Sequence, residues 1–218
     1  MKLKGIIFDL DGTLLHTLDD LADSANNVFA RHGLPVHVTE QYLGWIGNGA
    51  YNLIQQALPE GLKGDDSVKQ YLLEFFDEYA GNWNKKSYIY EGIEKMLAQL
   101  SAKNIAVAVL SNKQDGFTKQ IVSAYFPGYD FKAVFGEREG IPRKPDPLAA
   151  LEIAEIMDLL PREILFTGDS PGDIKTARAA NMAAGAVLWG YRSRETLTRE
   201  NPDYLFNHPR EIEHEFKK

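Results

Sequence analysis

Cysteine is absent from the chain. Its absence removes disulfides, thiolate metal sites and a cysteine nucleophile, and fits a reducing compartment. No stretch approaches the roughly 18 consecutive apolar residues that a membrane-crossing helix needs. The apolar run behind the N-terminal MKLK, GIIF at 5 to 8, stops at Asp9, too short for a signal-peptide core. Positive charge is also in deficit, with 24 Lys and Arg against 31 Asp and Glu and a formal net charge of −7. That balance argues against nucleic acid or an anionic membrane as the main partner and favours a small molecule. The chain therefore reads as a soluble, cytoplasmic protein, a monomer or homodimer.

What is present is a globular composition, 44% hydrophobic and 25% charged over 218 residues, enough to bury a substantial core. Apolar runs of strand length alternate with amphipathic stretches, the pattern of a parallel α/β sheet. GIIF (5 to 8), IAVAVL (105 to 110) and EILFT (163 to 167) are apolar on both faces, as strands covered by helices must be, and AAGAVL (183 to 188) is a fourth candidate. Ile93, Met96, Leu97 and Leu100 mark one helix; Leu148, Leu151, Ala154 and Ile156 mark another. Asp146-Pro147 and Ser170-Pro171 pair an N-cap with a first-turn proline.

Residues 17 to 86 break the alternation. Leu18, Leu21, Ala22, Ala25 and Phe29 line one face of a helix, opened by a Thr17-x-x-Asp20 capping box and closed near Gly33. A second helix is expected from Asp66 to Ala80, with Val68, Tyr71, Leu72, Phe75, Phe76 and Tyr79 inward. The expected division is an α/β core of 1–16 and 87–218, interrupted after its first strand by a small all-helical cap, 17–86.

In a parallel sheet, ligands bind beyond the carboxyl ends of the strands. Behind those ends stand Asp9, Asp11, Gly12 and Thr13; Ser111, Asn112 and Lys113; and Gly168, Asp169, Ser170 and Asp173. Arg143-Lys144-Pro145-Asp146-Pro147 precedes a helix on the same edge. Carboxylates in such proximity repel unless a cation lies among them, and hard oxygen ligands without His or Cys suit Mg²⁺ better than zinc. Lysines beside carboxylate-bound Mg²⁺ suit a phosphoryl group. Asp9 is then placed to attack phosphorus. Asp11, two residues on in an extended segment, points to the same side, to protonate the leaving oxygen and later deprotonate water.

DLDGTL (9 to 14), Ser111-Asn112-Lys113, Lys144-Pro145-Asp146-Pro147 and GDSPGD (168 to 173) resemble the ordered motifs of the haloacid-dehalogenase-like phosphatase superfamily. The position of the insertion is similar to that family's helical cap. The resemblance implies a Rossmann-like core flanked by helices, Mg²⁺ and a covalent aspartyl intermediate. It assigns Asp9 as nucleophile and metal ligand, and Asp11 as acid/base with its backbone carbonyl on the metal. Ser111 and Lys144 hold the phosphoryl group, and Asp169 with Asp173 completes the metal site. GWIGNGA (44 to 50), the Ser-Asn-Lys segment and WGYR (189 to 192) are most similar to phosphoglycolate phosphatases. Where those proteins commonly carry Asp-Ser after the first motif, this chain has His16-Thr17. The substrate set is Thr13, Asn112 and Lys113, with His16 at the core-to-cap hinge and Asn48 in the insertion.

Several alternatives stay open at this point. Asp173 also completes a Ser170-x-x-Asp173 capping box. Lys113 reads equally as a phosphate contact or a solvated rim residue. GWIGNG has glycines at dinucleotide-fingerprint spacing, but no strand precedes it, so that reading is rejected. A phosphosugar mutase, a pyrophosphatase or a non-catalytic binding protein would share the core constellation.

Overall fold

GIIF forms the central strand of the molecule. The computed structural model describes residues 2–216, which divide into two compact units, 2–15 with 89–216, and His16–Tyr88. The strands are β1 (Gly5–Phe8), β2 (Leu15–His16), β3 (Tyr88–Ile89), β4 (Ala106–Gln114), β5 (Val134–Glu137), β6 (Ile164–Gly168), β7 (Ala183–Val187) and β8 (Tyr204–Phe206). Six of them make one sheet in the order β5-β4-β1-β6-β7-β8, every pair parallel. The chain passes between the units through β2 and β3, which pair as a ribbon.

Among the described residues the α-helices are α1 (Leu18–Arg31), α2 (Thr39–Tyr42), α3 (Ala50–Ala57), α4 (Asp65–Asn82), α5 (Ile93–Ala102), α6 (Asp115–Tyr125), α7 (Leu148–Ile156), α8 (Pro171–Ala179), α9 (Arg194–Thr198) and α10 (Pro209–Ile212). On one face of the sheet Ile7, Ala108, Phe166 and Ala184 pack with Ala150 and Ile153 of α7 and Ile174 and Ala177 of α8. Each large aliphatic or aromatic side chain so removed from water contributes about 1.5–3 kcal/mol. The face of α7 differs from the expected one: Ala149, Ala150, Ile153 and Ala154 are buried, whereas Leu148 is 46% and Ile156 48% exposed. Ala149, Ala150 and Ala154 let the helix lie close to the sheet around the buried Ile153, while Leu148 and Ile156 flank the contact.

β5 and β8 were not marked by the sequence. They are the sheet's outer strands, four and three residues long and partly exposed, too short to stand out as strand-length apolar runs. β4 in turn outlasts its apolar run and continues through Ser111, Asn112 and Lys113 to Gln114. Its register with β5 shifts between Leu110 and Gln114, so those three residues depart from regular pairing.

In the helical unit α1 packs on α4, with Phe29 edge-on to Tyr71 at 6.3 Å and Phe75 stacked on Tyr79 at 5.6 Å. α4 is a turn longer than expected; Val68, Tyr71, Phe75 and Tyr79 are buried, and Leu72 and Phe76 half-buried at its flanks. α1 closes as expected: Gly33 takes φ +66° and the Leu34 N–H returns to Phe29 O at 2.9 Å. Its start is different. Thr17 makes no side-chain cap bond, and the buried Asp20 carboxylate instead accepts from Lys86 N–H (2.9 Å), Ser87 N–H (2.8 Å) and the Ser87 hydroxyl (2.7 Å). A distant segment outbids the local cap. No helix among the described residues is long and apolar enough to cross a membrane.

Candidate active site

Because all six strands run the same way, their carboxyl ends share one edge, and the polar residues behind them meet there. Asp9 follows β1, its N–H donating to Thr167 O of neighbouring β6 at 2.9 Å. Asp169 follows β6, and Asp173 lies in the first turn of α8. Carboxylate oxygens of these three residues lie within 4.8 Å of one another, and all three side chains are buried. Three backbone approaches make the cluster possible. A Cβ on Gly12, which has φ +82°, would collide with the Asp169 carboxylate and the Tyr191 ring; one on Gly190 would strike Asp169 and Gly12 O. Tyr191 N–H donates to Asp169 Oδ2 at 2.7 Å.

Lys144 enters from the loop between β5 and α7. Its Nζ lies 2.9 Å from Asp9 Oδ1 and 2.7 Å from Asp173 Oδ1, with the side chain 4% exposed. Asp173 Oδ2 meanwhile accepts from Ser170 N–H (3.0 Å) and the Ser170 hydroxyl (2.6 Å), so this residue closes the capping box and joins the cluster at once. Asn112 holds Lys144 by its main chain: its Nδ2 donates to Lys144 O at 3.1 Å, and Lys144 N–H donates to Asn112 Oδ1 at 2.9 Å. Lys113 Nζ reaches both Asp11 oxygens, at 2.8 and 3.1 Å. Ser111 is buried and its Oγ accepts the Lys113 N–H at 3.2 Å.

Burial pushes the Asp9 carboxyl up to about 7; the Lys144 charge opposes that, and the Asp173 charge adds to it. Asp169 is pushed up to about 8, first by burial and then by the charges of Asp9 and Asp173. For Lys144 burial acts to lower the value, but Asp173 and Asp9 outweigh it and hold the ammonium above the ordinary lysine range. With all groups ionised, the Asp9, Asp11, Asp169 and Asp173 carboxylates exceed the Lys113 and Lys144 ammoniums by two negative charges. A donor set of carboxylate oxygens with that surplus fits a hard divalent cation.

The structure thus brings together Asp9, Ser111, Asn112, Lys144, Asp169 and Asp173, with the Asp11–Lys113 pair alongside. Asp11 is outside the three-carboxylate cluster because its side chain is turned to Lys113. Thr13 is fully buried; its carbonyl accepts from Trp189 Nε1 at 2.9 Å, and its hydroxyl has no partner among the described residues. His16 and Asn48 fall in the helical unit. There the His16 ring stacks on Tyr88 at 5.0 Å with Nε2 3.0 Å from Asp19, and Asn48 is exposed between Gly47 and Gly49. The Asn112 clamp on Lys144 and the Tyr191 contact to Asp169 were not foreseen, since both run through main-chain atoms of another loop.

A family model described as haloacid dehalogenase-like hydrolase matches residues 6–187. The chain belongs to this family. It is 34% identical over 212 residues to a phosphoglycolate phosphatase of Haemophilus influenzae (strain 86-028NP), covering 94% of this chain and 95% of that protein. A phosphoglycolate phosphatase of Photobacterium profundum is 33% identical over 210 residues, covering 94% and 92%. A crystal structure from Lactobacillus delbrueckii subsp. bulgaricus, of a chain assigned as a phosphoglycolate phosphatase, superposes with a TM-score of 0.91 at 28% identity, covering 99% of each chain.

Proposed function

We propose that this haloacid dehalogenase-like hydrolase is a Mg²⁺-dependent phosphatase of small phosphate monoesters, with 2-phosphoglycolate as leading substrate. The observation that carries the reading is the lysine wedged between Asp9 and Asp173 beside Asp169, a built cation-and-anion site at the sheet's carboxyl edge. The names of the relatives at 33–34% identity point to the substrate.

Asp9, Asp169 and Asp173, with the carbonyl of Asp11, are the residues to hold Mg²⁺. The chemistry a bound Mg²⁺ supplies is charge neutralisation, which lets an anionic nucleophile approach an anionic ester. An Asp9 oxygen attacks phosphorus, the phosphorus–ester oxygen bond breaks, and Asp11 gives its proton to the departing oxygen. Asp11 then takes a proton from water; that oxygen attacks phosphorus, the aspartyl–phosphorus bond breaks, and inorganic phosphate leaves with Asp9 restored. Lys144 and Ser111 hold the phosphoryl oxygens throughout, and Lys144 screens Asp9 from Asp173. Residues 17–86 act as the cap of a catalytic core made of 1–16 and 87–218, excluding water and discriminating leaving groups. The lack of cysteine favours the cytoplasm as the compartment.

The test is a Mg²⁺-dependent kinetic panel of 2-phosphoglycolate, phosphosugars, nucleotides and pyrophosphate, ranked by kcat/KM. We expect 2-phosphoglycolate to lead and Asp9→Asn to lose at least about 10³-fold in kcat while remaining folded. A flat panel would remove the substrate assignment, and substantial activity in Asp9→Asn would remove the mechanism.

A further inference from the structure

The two lysines of the site are not equivalent. Lys144 Nζ is shared between Asp9 and Asp173 on the side of the nucleophile. Lys113 Nζ instead embraces the Asp11 carboxylate, with side-chain exposures of 6% for the lysine and 13% for the acid. Another nearby cation, Arg192, acts on Asp169, in the three-carboxylate cluster. Lys113 thus places positive charge directly beside Asp11.

That placement is built rather than incidental. The register shift between β4 and β5 turns residues 111–113 out of regular pairing. Ser111 Oγ accepts the Lys113 N–H, and the Lys113 carbonyl accepts the Thr118 hydroxyl at 3.1 Å. Gly136 keeps β5 close: a Cβ there would lie 2.5 Å from the Lys113 carbonyl oxygen. The main chain of Lys113 is thus fixed on both sides, and its ammonium is aimed at one carboxylate.

Resting on the phosphatase reading, we infer that Lys113 is a specificity-determining residue that reads a carboxylate on the leaving group. Under that reading Asp11 meets the ester oxygen, so the ammonium beside it is within reach of a group attached to the adjoining carbon. A carboxylate arriving there enters a site rich in negative charge, and repulsion would reject it unless a cation met it on that side. Lys113 supplies that cation, contacting the incoming carboxylate while remaining beside Asp11. The ligand class is a small phosphate monoester with a carboxylate one carbon from the ester-bearing oxygen's carbon.

The test compares 2-phosphoglycolate with ethyl phosphate, which has the same chain length and no carboxylate, on wild-type protein, Lys113→Gln and Lys113→Arg, with Mg²⁺ present. The readout is the ratio of the two kcat/KM values. Both substrates use Asp9, Asp11 and the same metal ligands, so damage transmitted through Asp11 lowers both and cancels in the ratio. We expect Lys113→Gln to lower the ratio at least about tenfold and Lys113→Arg to retain most of the preference. Equal losses on the two substrates, or an unchanged ratio in Lys113→Gln, would overturn the inference and leave the phosphatase reading standing. Should Lys113→Gln not fold, a wild-type ratio near one decides against the inference by itself. Failure of folded wild-type protein to hydrolyse either ester would instead take down the phosphatase reading, and this inference with it.

Discussion

Asn112 grips the main chain of Lys144 by both ends, with its amide nitrogen on the lysine carbonyl and its amide oxygen on the lysine N–H. Asn112 lies near the end of β4 and Lys144 in the loop between β5 and α7, and both are buried. This pair of bonds ties the end of β4 to the lysine between Asp9 and Asp173.

Asn112→Ala leaves a buried N–H and a buried carbonyl on Lys144 without these partners. Stability should fall by about 2–6 kcal/mol, since each of the two orphaned groups costs about 1–3 kcal/mol. The lysine also loses its placement, and a shift on the order of 1 Å in a reacting group costs up to about 10²-fold in rate. Thermal unfolding and phosphate-release kinetics check the two effects. Asn112→Asp keeps the acceptor and loses the donor, so it should fall between wild type and alanine. A drop in Tm without any drop in kcat would mean that Asn112 only supports the fold.

The buried carboxyls give the metal-free protein an unusual pH dependence. Asp9 at about 7 and Asp169 at about 8 both stand above the ordinary 3.8. For an acid raised on folding, the native state binds the extra proton, so stability falls as pH rises. The contribution of these two groups is fully present below about pH 4 and is lost as pH climbs through about 7 and 8. In chelator, Tm should therefore decline from about pH 4 up to about pH 8 and level off above it. Mg²⁺ competes with those protons, so the rise in Tm on adding it should be larger at about pH 8.5 than at about pH 6. A Mg²⁺ effect equal at both, or larger at the lower pH, would contradict this.

Much of this geometry is written in the sequence as strand-length apolar runs followed by acids. GIIF, IAVAVL and EILFT are inner strands covered on both faces, so their side chains must be uniformly apolar, and the residues behind them are at the same edge of necessity. The outer strands β5 and β8 escape because they are only four and three residues long, β5 being apolar only at Val134 and Phe135, below the length at which an apolar run reads as a strand. Asp20 was misread for a different reason. A local cap and a bond to Ser87 leave the same trace at 17 to 20, and only the tertiary fold decides between them. The contacts that set Lys144 and Asp169 use backbone atoms of Lys144 and Tyr191, which any residue would supply, so no side-chain pattern announces them.

Gly12→Ala tests how closely the cluster depends on its main-chain walls. The new Cβ would need the left-handed region at φ +82° and would meet the Asp169 carboxylate. Backbone strain of that kind costs about 1–3 kcal/mol, and displacement of Asp169 should weaken Mg²⁺ binding at least about tenfold. Calorimetric Mg²⁺ titration of the folded variant reads the second effect directly. Undiminished Mg²⁺ affinity would show that Asp169 is dispensable to the metal.

The pairing of β1 with β4 on one side and β6 on the other has a consequence for how the molecule is made. The strand that leads into Asp9 leaves the ribosome before either of its partners, which both lie beyond the helical segment that interrupts the core. α1 to α4 can collapse on one another from contacts within a single stretch of chain, while β1 waits with its hydrogen-bonding edges open. Asp9 and Asp169 meet only when β6 has arrived. The buried carboxylate cluster is therefore assembled only after the helical segment has been made, and a product truncated before β6 would lack it even with its helices intact.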